Sequence, residues 1–258
     1  MRARAKLLVV LFLAFFLVPL AARAALFAFE DRPRSWREAD WSSVGMLPPA
    51  AAHPQARVLV MSGRTGGLKG LVAVHSWIVI KHENAPAWTR YDVVGWGTPV
   101  RRNGWAPDGR WFGGVPFIVA DVRGAAANAI IPRLEKAIAD YQYANAGDYR
   151  LWPGPNSNTF VATVLRAVPE LAVSLPANAI GKDFRGETFY FGPTGSRTGW
   201  EINISGVLGL KIGWVEGVEI NLLGLVIGAD FRRPALKVPG FGRIGVDLPP
   251  ANAASAET

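Results

Sequence analysis

Residues 152–169 read WPGPNSNTFVATVLRAVP, and the fold turns on how this stretch is read. Pro153, Gly154 and Pro155 form an approach that a helix interior excludes. From Ser157 the pattern changes: Phe160, Val161, Val164, Leu165 and Val168 recur at helical spacing, and Pro169 ends the run. The spacing predicts a helix over Ser157–Val168. A second helix is predicted over Ile131–Tyr143, where Ile131, Leu134, Ile138 and Tyr141 share a face. Pro132 is tolerable there only in the first turn.

Around these helices the sequence has the period and length of strands. Arg57–Met61 reads as a buried strand, closed by the glycine-rich residues 62–67. Leu71–Lys81 follows, with Val72, Val74, Ser76, Ile78 and Ile80 on one face and Ala73, His75, Trp77 and Val79 on the other. Trp88–Trp96 and Pro116–Val122 are further strands. Beyond Phe184 come the short apolar stretches Glu187–Phe191, Trp200–Ile204, Val207–Trp214 and Val218–Ile227. The expected fold class is α+β, a mixed or antiparallel sheet packed on two main helices. A β-rich C-terminal extension is expected to share the same core. The expected boundaries are 1–24 for a signal peptide or N-terminal anchor, 25–55 for an arm, 56–245 for a single domain and 246–258 for a disordered tail.

The chain has 258 residues, 50% of them hydrophobic and 19% charged, enough to build a real core. It has no cysteine, which excludes disulfides, thiolate metal sites and a cysteine nucleophile. Three histidines leave little for a transition-metal site, and no metal or cofactor is expected. The net charge of +8 is concentrated at the start, where Arg2, Arg4, Lys6 and Arg23 meet no acid before residue 25. The remainder is too mildly basic to suggest a nucleic-acid partner.

Met1–Lys6 is a basic opening, Leu7–Leu20 an apolar run, and Ala22-Arg23-Ala24 a small-residue exit. These are the parts of a secretory signal peptide. Because Arg23 interrupts the exit and apolar residues resume at Leu26, an uncleaved anchor is the rival reading. Either one implies export, to the periplasm or to the outer side of an inner membrane.

The stretch 63–69, GRTGGLK, lacks the Gly-Lys-Ser/Thr ending and the following helix of a phosphate loop; a hairpin turn accounts for it better. Glu216 and Glu219 are expected on the solvent side of a hairpin. Ser157 opens a helix, where unpaired N–H groups and the dipole favour an anion or an oxyanion. Capping explains an Asn or Ser there equally well. His75, inside an apolar strand, is the candidate base. Asp92 on the next strand is the candidate orienter of the imidazole, with Tyr91 its competitor on the opposite face. Asn156, Trp77, Trp105 and Trp111 are the candidate substrate contacts, since aromatic faces hold sugars or lie at lipid headgroups.

The order of these elements resembles that of circularly permuted papain-like proteins, the superfamily of NlpC-related peptidases and lecithin:retinol-acyltransferase-like proteins. In the latter branch the nucleophile motif is Asn-Cys-x-x-Phe-Val. Asn156, Ser157, Phe160 and Val161 match it with Ser in place of Cys. The longer string Gly154–Phe160, with Pro169-Glu170-Leu171 and Ala179–Asp183, resembles an exported bacterial family known only as a domain of unknown function, over about Ala56 to Arg243. The superfamily resemblance implies His75, Asp92 and Ser157 as catalytic residues. Two functions are expected from it: a serine-dependent amidase, esterase or acyltransferase acting on envelope peptide, glycopeptide or lipid, or a catalytically silent binding module on the same fold.

Overall fold

Arg57–Arg64 (β1) and Val74–Lys81 (β2) pair antiparallel along their whole length. The glycine-rich stretch between them is a hairpin connection that includes a short 3₁₀ segment, Gly67–Leu71. Thr89–Val93 (β3) and Val100–Arg102 (β4) add beyond β2, and Phe117–Arg123 (β5) adds beyond β1. The result is an antiparallel five-stranded sheet of order β4-β3-β2-β1-β5. The computed structural model describes residues 2–246. Apart from residue 246, the tail expected at 246–258 lies outside them.

Two helices, Gly124–Ala139 (α3) and Ser157–Arg166 (α4), cover one face of this sheet. Val58, Val60, Val74, Ile78 and Ile80 from the strands pack there on Ile131, Leu134, Phe160, Val161 and Val164. Helix α3 begins at Gly124 instead of Ile131, so Pro132 stands inside the helix and not in its first turn. The added turns come from the alanine-rich residues 125–129, which lack an apolar period but have high intrinsic helix propensity.

The other face of the sheet carries Leu59, Met61, Trp77 and Val79. The segment before β1 crosses it with Trp41 and Leu47, and the buried Asp108 accepts from the Met46 and Leu47 amides.

Beyond Phe184 the chain builds a second antiparallel sheet as a continuous meander. Its strands are Phe189–Pro193 (β6), Gly199–Ile204 (β7), Leu208–Gly213 (β8), Gly217–Leu222 (β9), Leu225–Asp230 (β10), Ala235–Val238 (β11) and Gly242–Gly245 (β12). The apolar run Val218–Ile227 is therefore two strands. They turn at Leu223 and Gly224, both with positive φ, as a tight hairpin requires.

The expectation of one shared apolar core does not hold. Among the described residues, neither apolar cluster contains a buried residue beyond Ala179. The second sheet meets the rest through charge. Lys182 Nζ donates to Glu219 Oε2 at 2.5 Å, and within the sheet Lys237 Nζ holds Glu219 Oε1 at 2.6 Å. Asp183 accepts from Lys211 and from Asn221, and Arg185 pairs with Glu201. Glu216 and Glu219, expected on the solvent side, are both buried: Glu219 in this contact, and Glu216 against Ser196 and Thr198 of the sheet's own turn. The sheet is inverted relative to an ordinary amphipathic one: charge faces inward and Ile202, Leu210 and Ile220 face out.

At the N-terminus, helix α1 (Arg2–Phe12) runs through a π turn (Leu13–Leu17) into α2 (Val18–Ala28). Its stretch Val9–Ala28 has 20 residues and is, by length and composition, apolar enough to cross a membrane. A signal sequence satisfies the same criterion, and the helix is compatible with either role. Arg23 is buried, and its guanidinium pairs with Glu30.

Candidate active site

The alternation of β3 places Arg90 and Asp92 on one face and Tyr91 on the other, where it packs against the helix-side core. Asp92 lies 2.7 Å from His75 Nε2 through Oδ1. Arg90 grips the same carboxylate at both oxygens, Nε to Oδ2 at 2.7 Å and Nη2 to Oδ1 at 2.9 Å. The guanidinium lies 4.0 Å over the Trp77 ring, and its Nη1 donates to the Ala106 carbonyl. On the other side of His75 the Trp111 ring is stacked in parallel, centroid to centroid 3.7 Å.

His75, Arg90 and Asp92 are all buried. Burial pushes the His75 pKa below its ordinary value, although Asp92 works against that shift. Burial would raise the Asp92 carboxyl, but the Arg90 charge and the hydrogen bonds from His75 and Arg90 hold it below the usual carboxylate range. The imidazole is therefore neutral near pH 7, with Nε2–H donated to a carboxylate and Nδ1 left as its acceptor nitrogen.

Helix α4 packs on the opposite face of the sheet but starts where β2 begins. Asn158 Nδ2 donates to the Val74 carbonyl at 2.9 Å, next to His75 in the chain. Asn156 is the N-cap: its Oδ1 accepts from the Asn158 and Thr159 amides, and its Nδ2 donates to the Leu151 and Ile180 carbonyls. Thr159 Oγ1 accepts from the Asn156 amide, completing a capping box. Ser157 is the first residue of the helix and is buried. Among the described residues, neither its hydroxyl nor its N–H has a hydrogen-bond partner, and no hydrogen bond joins it to His75. The approach to the cap carries two cis peptide bonds, Trp152–Pro153 and Gly154–Pro155.

His75 and Ser157 line the same cavity of about 280 Å³, walled by Trp111, Tyr149 and Trp152 and reached by Lys69. The expected residues divide around it. Trp111 forms part of the wall by stacking on the imidazole. Trp77 does not reach the cavity: it is fully buried beneath Arg90, and its Nε1–H is held by the Pro107 carbonyl. Trp105 backs Trp111 edge-on at 5.1 Å and stands behind the wall. Asn156 touches the cavity, but each of its side-chain polar atoms is engaged in the cap.

Arg90 escaped the sequence reading, although its place two residues before Asp92 on a strand was the available signal. Trp96 and Tyr149 also line the cavity from loops; the strand expected over Trp88–Trp96 ends at Val93, so Trp96 stands beyond it. Among the described residues, no three His, Asp or Glu side chains cluster to hold a metal ion.

A family model described as protein of unknown function (DUF3750) matches residues 55–184, just over half of the chain. The chain belongs to this family. The DUF3750 match runs from the start of β1 through both core helices and takes in His75, Arg90, Asp92 and Ser157. It ends before the seven-stranded sheet begins. No curated protein and no solved structure matches the chain.

Proposed function

We propose that this cavity is the site of serine-dependent acyl transfer, as an amidase, esterase or acyltransferase acting on an envelope peptide, glycopeptide or lipid, in an exported protein. The observation that carries this reading is a neutral imidazole fixed at Nε2 by a buried carboxylate, in the cavity that Ser157 lines from a helix start. His75 Nδ1 takes the Ser157 hydroxyl proton as Oγ attacks the acyl carbon, and it returns that proton to the leaving group. Water or an acceptor alcohol or amine then releases the acyl group by the same proton path in reverse. Asp92 steadies the imidazolium, as the third member of a triad does. The capping box occupies the Asn158 and Thr159 amides, so the Ser157 N–H is the helix-start donor left for the oxyanion. The resemblance to permuted papain-like proteins, with Ser for Cys, adds support through the order His75, Asp92, Ser157.

A second reading is a silent binding module in the same cleft. It is favoured by the missing Ser157–His75 hydrogen bond and by the aromatic wall. A catalytic pair is often loose before substrate arrives, so the first reading stands ahead. Labelling with a serine-reactive fluorophosphonate decides between them. The natural protein should label, and Ser157→Ala and His75→Ala, both folded, should not. A folded natural protein that fails to label, yet binds glycopeptide or lipid, establishes the silent module. N-terminal sequencing of the protein from cell fractions separates a cleaved, periplasmic form from one retaining an inner-membrane anchor, and a cytoplasmic pool overturns export.

A further inference from the structure

The outer face of the seven-stranded sheet carries no charge along its registered rows. Phe191, Ile202, Leu210, Ile220 and Ile227 lie side by side across β6 to β10. The adjacent row runs through Trp200, Ile212, Val218, Ala229, Leu236 and Ile244. Most of these side chains stand exposed: Phe191 is 62% accessible, Trp200 59% and Ile212 56%. The charged residues of the same strands alternate to the other face, where Glu201, Lys211, Glu219 and Lys237 join the Lys182–Asp183–Arg185 cluster, and Asp230 and Arg243 line a separate cavity. A patch of this size on a soluble surface marks an interaction site.

The N-terminal helix supplies the argument for what covers it. Leu11, Phe12, Phe15 and Phe16 line one cavity with Val218, Ile220 and Ile227 on this face, and the π turn touches β10. The helix keeps most of its own apolar surface exposed. Helix and sheet thus form one continuous apolar surface. A flat partner, such as the same sheet of a second copy, meets the helix as a ridge over β9 and β10 and cannot lie flush. Fluid acyl chains fill the space on either side of it. At one end of the sheet the exposed Trp214 and Phe231 mark a margin of aromatic residues, followed by Arg232 and Arg233. That is the order of residues met at a membrane–water interface. The strands have four to six residues each, too short to span a bilayer as a barrel.

We infer that the outer face of this sheet, together with the N-terminal helix, seats the protein in the hydrocarbon margin of a lipid bilayer, with the sheet lying on one leaflet. The inference is independent of any chemistry at Ser157. The cysteine-free chain makes it directly testable. Single cysteines at Ile202→Cys and Ile212→Cys, with Ala129→Cys on the exposed side of α3 as control, would carry an environment-sensitive fluorophore in the full-length protein. The protein would be reconstituted into phosphatidylcholine–phosphatidylglycerol vesicles. The labels at 202 and 212 should shift their emission to shorter wavelength and be quenched several-fold by spin-labelled lipid. The label at 129 should respond only to aqueous iodide. If the labels at 202 and 212 respond to iodide and not to spin-labelled lipid, the helix alone holds the membrane and the inference fails. Cross-linking of 202 to 202 between copies, with no lipid quenching, assigns the face to a second copy and also overturns it.

Discussion

His75 is held on three sides, by Asp92 at Nε2, by Trp111 across its ring and by the strand that carries it. Its reactivity is thereby reduced to one nitrogen. Asp92→Asn keeps the shape but removes the charge that steadies an imidazolium, so fluorophosphonate labelling should slow by about 10³-fold or more, measured as the rate of label uptake. Because burial lowers the His75 pKa, the neutral base persists below the ordinary histidine value of about 6.5. The labelling rate should therefore stay level as pH drops through 6.5 and fall only in more acid solution. A fall centred at or above 6.5 would show that Asp92 outweighs burial at this imidazole. Arg90→Met leaves the Asp92 carboxylate buried without its cation. It should destabilise the fold by about 3–5 kcal/mol in a urea titration.

At the level of elements, α4 owes its start to one side chain. Asn156 satisfies two helix amides and two loop carbonyls, so Asn156→Ala should cost about 2 kcal/mol, the upper end for an N-cap, in thermal or urea unfolding. Asn156→Ser should recover part of this through the amide bonds alone. The β9–β10 hairpin depends on a residue without a side chain. Gly224 has φ +88°, and a Cβ there would stand 3.0 Å from Ile180 Cγ2. Gly224→Ala should therefore lower stability by about 1 kcal/mol or more, whereas alanine at an exposed strand position should not.

Across the whole molecule, the seven-stranded sheet meets the segment 182–185 that leads into it through ionised groups and not through shared apolar packing. Burial alone would raise the Asp183 and Glu219 carboxyls. The lysines around them (Lys182 and Lys211 for Asp183, Lys182 and Lys237 for Glu219) hold both below the usual range. These groups have folded pKa values below the unfolded ones. Their stabilisation is fully present above the ordinary carboxylate pKa of about 4 and is lost as pH falls through the folded values. Thermal melts stepped from pH 7 to pH 3 should show stability falling most steeply below about pH 4. Lys237→Met and Glu219→Gln should each flatten that dependence. An unchanged acid profile in both variants assigns the acid sensitivity elsewhere.

Much of this was legible in the residues. The alternation around His75 and Asp92, the helical period after Ser157 and the apolar N-terminal run are local patterns, set by the geometry of strand and helix. An α+β class, four of the five strands of the first sheet and the start of α4 follow from them; Val100–Arg102, only three residues long, has no period to reveal it. The sequence could not place Trp77 beneath Arg90, because the register of β2 on β3 is set only when the sheet assembles, nor Trp111 on the imidazole, because the segment after β4 has no period and reaches His75 only when the chain closes. Nor could it orient the second sheet. Period 2 divides Glu201, Lys211 and Glu219 from Ile202, Leu210 and Ile220, but it does not say which set faces the body of the protein. That choice was made by the Lys182–Asp183 segment, which arrives from outside the sheet and supplies the opposite charges the inner face needs. Charged side chains can leave water only where such partners meet them, so burial of the polar face, and exposure of the apolar one, was decided by the tertiary structure.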